Sequence, residues 1–143
     1  MSNNNINIKN KKASYQYFLM DKYVAGIQLT GTEIKSIRDG KVSLAESFCV
    51  FIGDELFVRD MHIAEYSLGT HYNHEPKRDR KLLLTRRELK KLQTKIQEKG
   101  FTIIPTHMFI NDRGLAKIEI AVAKGKHLYD KREKKKKKDI KRD

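Results

Sequence analysis

One cysteine in 143 residues leaves no partner for an intramolecular disulfide and no basis for a cysteine-ligated metal centre. That residue, Cys49, sits between Phe48 and Val50 in an apolar run, where a thiol serves as inert filling. Carboxylates are scarce too: 18 Asp and Glu stand against 31 Lys and Arg, a net charge of +13. A surplus of that size implies a polyanionic partner, either nucleic acid or an anionic membrane. No run approaches the roughly 18 apolar residues of a transmembrane helix. The start MSNNNINIKNKK lacks the apolar stretch of a signal peptide, so a cytoplasmic protein with no membrane partner is expected. The motifs GxxxxGKS/T, HExxH, CxxC and GxSxG are all missing, which argues against an enzyme. His71-Tyr72-Asn73-His74 resembles a ligand set but lacks a carboxylate or thiolate at metal spacing, so neither metal nor cofactor is expected. The acids Glu46, Asp54, Glu55 and Asp60, which a Mg²⁺-dependent enzyme would need, surround a hairpin and read as solvated loop charges.

The middle of the chain alternates apolar and polar residues, the period of half-buried strands. In KYVAGIQL the inward set is Ala25, Ile27 and Leu29. Phe48, Val50 and Ile52 alternate up to Gly53-Asp54, a hairpin turn signal, and Leu56 and Val58 resume after it. A second hairpin folds about Asn111-Asp112-Arg113-Gly114, with Ile118, Ile120 and Val122 inward and Pro105 pushing its strand toward an edge or a bulge. Two helices stand out. In TRRELKKLQTKIQEKG, Thr85 and Glu88 form a capping box, Leu89, Leu92 and Ile96 share one face, and Gly100 is the stop. Its polar face carries Arg86, Arg87, Lys90, Lys91 and Lys95. The shorter GTEIKSIRDG puts Ile34 and Ile37 on its buried side. Short strands interrupted by a few helices predict a mainly β fold, a small closed antiparallel β-barrel of the oligonucleotide-binding type with about three flanking α-helices. The expected organisation is a flexible arm over residues 1–12, the barrel over 13–123 and a basic tail over 124–143.

LTGTEIKSIRDGK is the densest constellation in the folded part. Lys35 and Arg38 lie on the helix face away from Ile34 and Ile37, and Lys41 follows beyond the turn, a geometry suited to backbone phosphates. Glu33 repels phosphate. It either accepts hydrogen bonds from nucleobase amino groups or favours the positive end of the helix. The loop His71 to His74 is a plain polar loop or an RNA-facing one, since Arg78, Arg80 and Lys81 follow and Tyr72 or a histidine could stack on an unpaired base. From Lys124 onward, eleven Lys or Arg stand against four Asp or Glu, over half of the chain's charge surplus. Such a segment buries too little to offset about 1–2 kcal/mol per residue of backbone ordering, so alone it should be disordered. Asp130 with Lys134 and Glu133 with Lys137 permit a helix once RNA screens the charge. A solvated charge run is the alternative reading.

The run YVAGIQLTGTEIKSIRDGKVSLAESF, with HYNHEPKRDRKLLL, IPTHMF and GKHLYDKR, strongly resembles the SsrA-binding protein (small protein B) family of bacterial ribosome rescue, nearly end to end from Asn10 to Arg132. The resemblance implies an adaptor of trans-translation that binds the tRNA-like domain of transfer-messenger RNA. It would support alanylation by alanyl-tRNA synthetase and delivery with elongation factor Tu to stalled ribosomes. Carried onto this chain, the RNA-binding set is Glu33 of the GTE motif with Lys35, Ser36, Arg38 and Lys41, then Asn10 and Lys12 at the amino-terminal motif, and Asn73, His74, Arg78 and Arg80 around the NHxP loop. Through the resemblance, Glu33 leans toward base contact. Lys124, Lys126, Tyr129, Asp130, Lys131, Arg132 and Lys135 would meet the 16S rRNA decoding centre and the empty mRNA channel, where the tail becomes helical. The family often has histidine before its DKR motif. Tyr129 keeps stacking there and loses any imidazole contact. A general single-stranded RNA binder displaying Tyr15, Tyr17, Phe18 and Tyr23 is the alternative function.

Overall fold

The computed structural model describes residues 6–69 and 73–126. In chain order the elements are β1 (Asn7–Lys9), α1 (Lys11–Gln16), β2 (Tyr17–Ile27), α2 (Gly31–Arg38), β3 (Val42–Ser43), β4 (Phe48–Ile52), β5 (Glu55–Arg59), β6 (His62–Ile63), β7 (Arg80–Leu83), α3 (Arg86–Ile96), β8 (Phe101–Ile110) and β9 (Ala116–Gly125). Six strands, in the order β8-β4-β5-β7-β2-β9, form an antiparallel sheet that the β8–β9 pairing closes into a ring. The expected closed antiparallel β architecture with three helices is therefore present, with six strands in the ring against the five usual for an oligonucleotide-binding barrel. Strands β3 and β6 form a separate two-stranded ladder.

Both predicted hairpins form. Gly53, at φ +63°, supplies the left-handed residue of a two-residue turn that sets Ile52 opposite Glu55. That register also decides the faces. Phe51 pairs with Leu56 and Cys49 with Val58, and directly paired residues share a face, so the inward residues of β4 are Cys49 and Phe51. The alternating set Phe48, Val50 and Ile52 is thus the outer face of this hairpin, because Leu56 and Val58 are inward and a two-residue turn leaves no other alignment. Cys49 is buried, and burial pushes its thiol well above the usual range. Pro105 interrupts the β8–β9 ladder with a register shift between Pro105 and His107, the expected bulge.

The ring encloses one core, with Ala25, Leu56, Val58, Leu82, Ile103, Met108, Ile118 and Ile120 among its buried residues. Ala123 and Ile104 are buried in a second, smaller cluster with Ala13 of α1. Strand β9 is consequently buried on both faces at Ala121, Val122 and Ala123. The amino-terminal segment differs from expectation. Residues 1–12 are not all a free arm, because Asn7–Lys9 pairs with β8 and Lys11 opens α1. Two donors of Asn10 tie this segment down: its backbone N–H goes to Thr106 O at 2.8 Å and its side-chain Nδ2 to Pro105 O at 2.9 Å. At the other end β9 continues through Gly125, two residues past the expected barrel boundary.

Candidate nucleic-acid interface

Helix α2 is fastened at both ends by local chemistry. Thr30 is its N-cap: the hydroxyl accepts from the Glu33 N–H at 3.4 Å, and Glu33 Oε1 accepts from the Thr30 N–H at 2.8 Å. At the far end Gly40, at φ +74°, lets the Gly40 N–H reach Ile37 O at 2.8 Å and the Lys41 N–H reach Ser36 O at 3.0 Å, a Schellman motif. Lys35, Arg38 and Lys41 are exposed along this helix and its turn. The Lys35 ammonium lies 5.5 Å from the centre of the Tyr66 ring, a cation–π contact. Arg38 Nη2 lies 3.8 Å from where a Cβ on Gly114 would stand, in the β8–β9 turn. Tyr66 was missed, since nothing local to it signals a partner in α2.

The buried face of α2 is Glu33, Ser36 and Ile37, so Ile34 is only half-buried where it was expected inside. Glu33 is 0% exposed and its two oxygens accept four hydrogen bonds: from Thr30 N–H, from Arg78 Nη2 at 2.8 Å and Nε at 2.9 Å, and from Arg80 Nε at 2.6 Å. Arg80, equally buried, also donates from Nη1 to Met61 O and from Nη2 to Glu75 O and Pro76 O. Burial alone would raise the Glu33 pKa. The hydrogen bonds from Arg78, Thr30 N–H and Arg80 together outweigh it and hold the carboxyl below the usual carboxylate value. Burial lowers the Arg80 pKa, opposed by Glu33, and the guanidinium stays cationic.

The base-contact expectation for Glu33 is therefore corrected, because all its acceptor capacity is used inside the protein and no path leads from its carboxylate to a base edge while the network stands. Arg80 is fully buried too, its donors turned to Glu33 and to backbone carbonyls. Ser36 is also sealed in, its hydroxyl with no hydrogen-bond partner among the described residues. Two guanidiniums against one carboxylate leave a net positive charge behind α2, and Arg78, 34% exposed, carries it to the surface.

The NHxP loop is likewise built inward. The buried His74 ring bridges Ile63 O and Thr32 Oγ1, each at 2.9 Å. A carbonyl can only accept, so Nε2 carries the proton and Nδ1 accepts from the Thr32 hydroxyl when the ring is neutral. Asn73 clamps its loop: Oδ1 accepts from the Tyr66 N–H at 3.1 Å and Nδ2 donates to Tyr66 O at 2.8 Å. Asn10 is buried as well, and its Oδ1 has no partner among the described residues. Lys12 is exposed and pairs with Glu46 at 3.3 Å. His71 and Tyr72, and Tyr129, Asp130, Lys131, Arg132 and Lys135 of the tail, lie outside the described residues. Of the tail cations, Lys124 is exposed on β9, and Lys126 is pinned by its N–H to Gln16 O at 2.9 Å and its Nζ to Ser14 O at 2.6 Å. Among the described residues no three His, Cys, Asp or Glu side chains gather as a metal would need, and no helix is long and apolar enough to cross a membrane.

A closed antiparallel β ring that displays a rigid cationic helix and continues into a lysine-rich segment defines a small polyanion-binding β protein. The family model described as "SmpB protein" matches residues 7–143, and the chain belongs to that family. It is 62% identical over 130 residues to the SsrA-binding protein of Christiangramia forsetii, covering 91% of this chain and 83% of the relative. It is 57% identical over 143 residues to the SsrA-binding protein of Bacteroides thetaiotaomicron, covering 100% and 95%. A solved chain from work described as "tmRNA-SmpB: a journey to the center of the bacterial ribosome" superposes with a TM-score of 0.72 at 41% identity, covering 85% of each chain.

Proposed function

We propose that this chain is the RNA-binding adaptor of trans-translation: it binds the tRNA-like domain of transfer-messenger RNA through the α2 face and engages the ribosome through its basic tail. Beyond family membership, one geometric relation supports this division. Arg38 of α2 lies at the β8–β9 turn, whereas Lys124 and Lys126 leave from the opposite end of that hairpin, where Lys124 pairs with Phe101. Ten residues of β9 at about 3.3 Å each separate the two ends by roughly 30 Å, enough for two RNA partners to be held at once. Lys35, Arg38, Lys41 and Arg78 contact the tRNA-like domain. Glu33, Ser36, His74 and Arg80 hold that surface in shape. Asn10 and Lys12 line a cleft with Val42 to Ala45, and Asn73 ties its loop to Tyr66. The shared RNA brings alanyl-tRNA synthetase and elongation factor Tu, and the tail from Lys124 to Lys135, with Tyr129 stacking, occupies the decoding centre and the empty message channel.

Competition at about 0.15 M salt, near physiological ionic strength, tests the reading: the tRNA-like domain of transfer-messenger RNA against an elongator tRNA, with the full chain and with a truncation ending at Tyr129. Both proteins should prefer the tRNA-like domain. Equal binding of both RNAs would favour a general RNA binder, for which Tyr15 and Phe18 are exposed aromatics of the expected set.

A further inference from the structure

Helix α3 has a face that the interface described above leaves unused. Leu89 and Leu92 pack inward, and the opposite half of the helix presents Arg86, Arg87, Lys90 and Lys91, all exposed. Among the described residues none of these four pairs with a carboxylate: Glu88 is taken up by the Thr85 cap. The arrangement opposes the helix's own stability. Arg86 with Lys90, Arg87 with Lys91, and Lys91 with Lys95 are like charges at i,i+4, each mutually repulsive. A local rule broken three times along one face, with no carboxylate paired to Arg86, Arg87, Lys90 or Lys91 among the described residues, marks a surface shaped by an external partner.

The track also has a direction. Lys95 and Lys124 both lie over the Phe101 ring, at 5.1 and 5.7 Å from its centre, joining the end of α3 to the root of the basic tail. The groove beneath, about 410 Å³, has Lys90, Lys91 and Lys95 on the α3 side. Asp21 and Glu98 also line it, the latter 3.9 Å from Lys95, so the anion path follows the outer edge of the helix. Arg86 to Lys95 spans about 13 Å at 1.5 Å per residue, long enough for a stretch of phosphodiester backbone.

We infer that the outer face of α3, from Arg86 and Arg87 through Lys90 and Lys91 to Lys95 and Lys124, is a second RNA-backbone surface that seats on the ribosomal RNA bordering the tail's path. It is separate from the α2 face. This rests on the proposed function for the identity of the RNA, and continuity with Lys124 selects the partner of the tail over the tRNA-like domain.

The test is the full-length variant R86Q/R87Q/K90Q/K91Q, with binding to purified small ribosomal subunits and to the tRNA-like domain measured across a salt series. Four lost phosphate contacts should lower the log–log salt slope for the subunits by about 3 and weaken binding about tenfold or more near 0.1 M salt. Binding to the tRNA-like domain should stay within about twofold and the melting temperature should not fall, since like-charge repulsion has been relieved. The variant K90R/K91R should bind as wild type. An unchanged slope for subunits overturns the inference and makes this a solvated charge run, and a parallel loss on the tRNA-like domain overturns it by giving the face to that RNA. Failure of the proposed function shows differently: wild-type protein would then show no preference for the tRNA-like domain at all.

Discussion

Glu33 and Arg80, 47 residues apart in the chain, meet through a 2.6 Å hydrogen bond between two side chains that are both fully out of solvent. The contact ties the start of α2 to β7. Arg80 extends the tie to the carbonyls of Met61, Glu75 and Pro76, so one guanidinium joins α2 to two further backbone segments. Removing one partner of such a pair strands a charge in the interior, at a cost of about 3–5 kcal/mol. Glu33→Ala, which leaves the buried Arg80 without its carboxylate, should lower urea-unfolding stability by about that amount, and Arg80→Met by less, because Arg78 still pairs with Glu33. In the double variant Glu33→Ala/Arg80→Met the loss should be smaller than the sum of the two single losses, because neither buried charge is left without the other. A loss under about 1 kcal/mol for Glu33→Ala, the range of an exposed pair, would show that the network is slack.

The same carboxylate confers a pH dependence. Its folded-state pKa is depressed, so the unfolded chain takes up the proton at higher pH than the folded one. Its contribution is complete above the ordinary carboxylate value, about 4.3, and disappears as pH falls through the folded-state value. Stability measured from pH 7 to pH 3 should fall more gently in Glu33→Gln than in the native chain over that acid window. Parallel profiles would assign the acid sensitivity to other carboxylates.

Ser36→Ala removes a buried hydroxyl that has no hydrogen-bond partner among the described residues. An unsatisfied buried hydroxyl costs about 1–3 kcal/mol, so the variant should be as stable as the native chain or slightly more so. RNA affinity should not change. A drop in affinity with an unchanged melting temperature would mean that the hydroxyl reaches the RNA after all.

Cys49 is buried and held as the thiol, the unreactive form. Labelling by a disulfide reagent should be slow in the native protein, speed up with urea and follow the unfolding curve. Rapid labelling without denaturant would reveal local opening of β4.

Neutralising Lys35, Arg38 and Lys41 together should weaken binding of the tRNA-like domain and reduce its salt slope by about 2–3, as expected for three phosphate contacts. The fold should be untouched, because all three side chains are exposed. A salt slope that does not move would displace the RNA from α2.

Much of the fold is readable locally. Thr85 and Glu88 announce α3 because a capping box is a contact between residues three apart, and the structure contains it. Gly53-Asp54 and Asn111 to Gly114 announce their hairpins because a turn is four residues of chemistry. The inward face of β4 was legible too: a two-residue turn pairs Ile52 with Glu55, and with Leu56 inward Phe51 must be inward as well. The strand role of Asn7–Lys9 was not legible, since a three-residue strand has too little period and its partner lies about a hundred residues away.

By itself the sequence determined what depends on near neighbours and on totals: strands, hairpins, capped helices, a charge surplus concentrated at one end, and a family. The tertiary structure alone decided which polar side chains face outward. Glu33, Ser36, His74 and Arg80 sit among surface-type residues in the chain, and only the closing of the ring brings α2, the 73–80 segment and β7 together to seal them in. Burial is a property of three-dimensional neighbours, so residues that appear to touch RNA in the sequence instead hold the neighbouring Lys35, Arg38 and Lys41 in place.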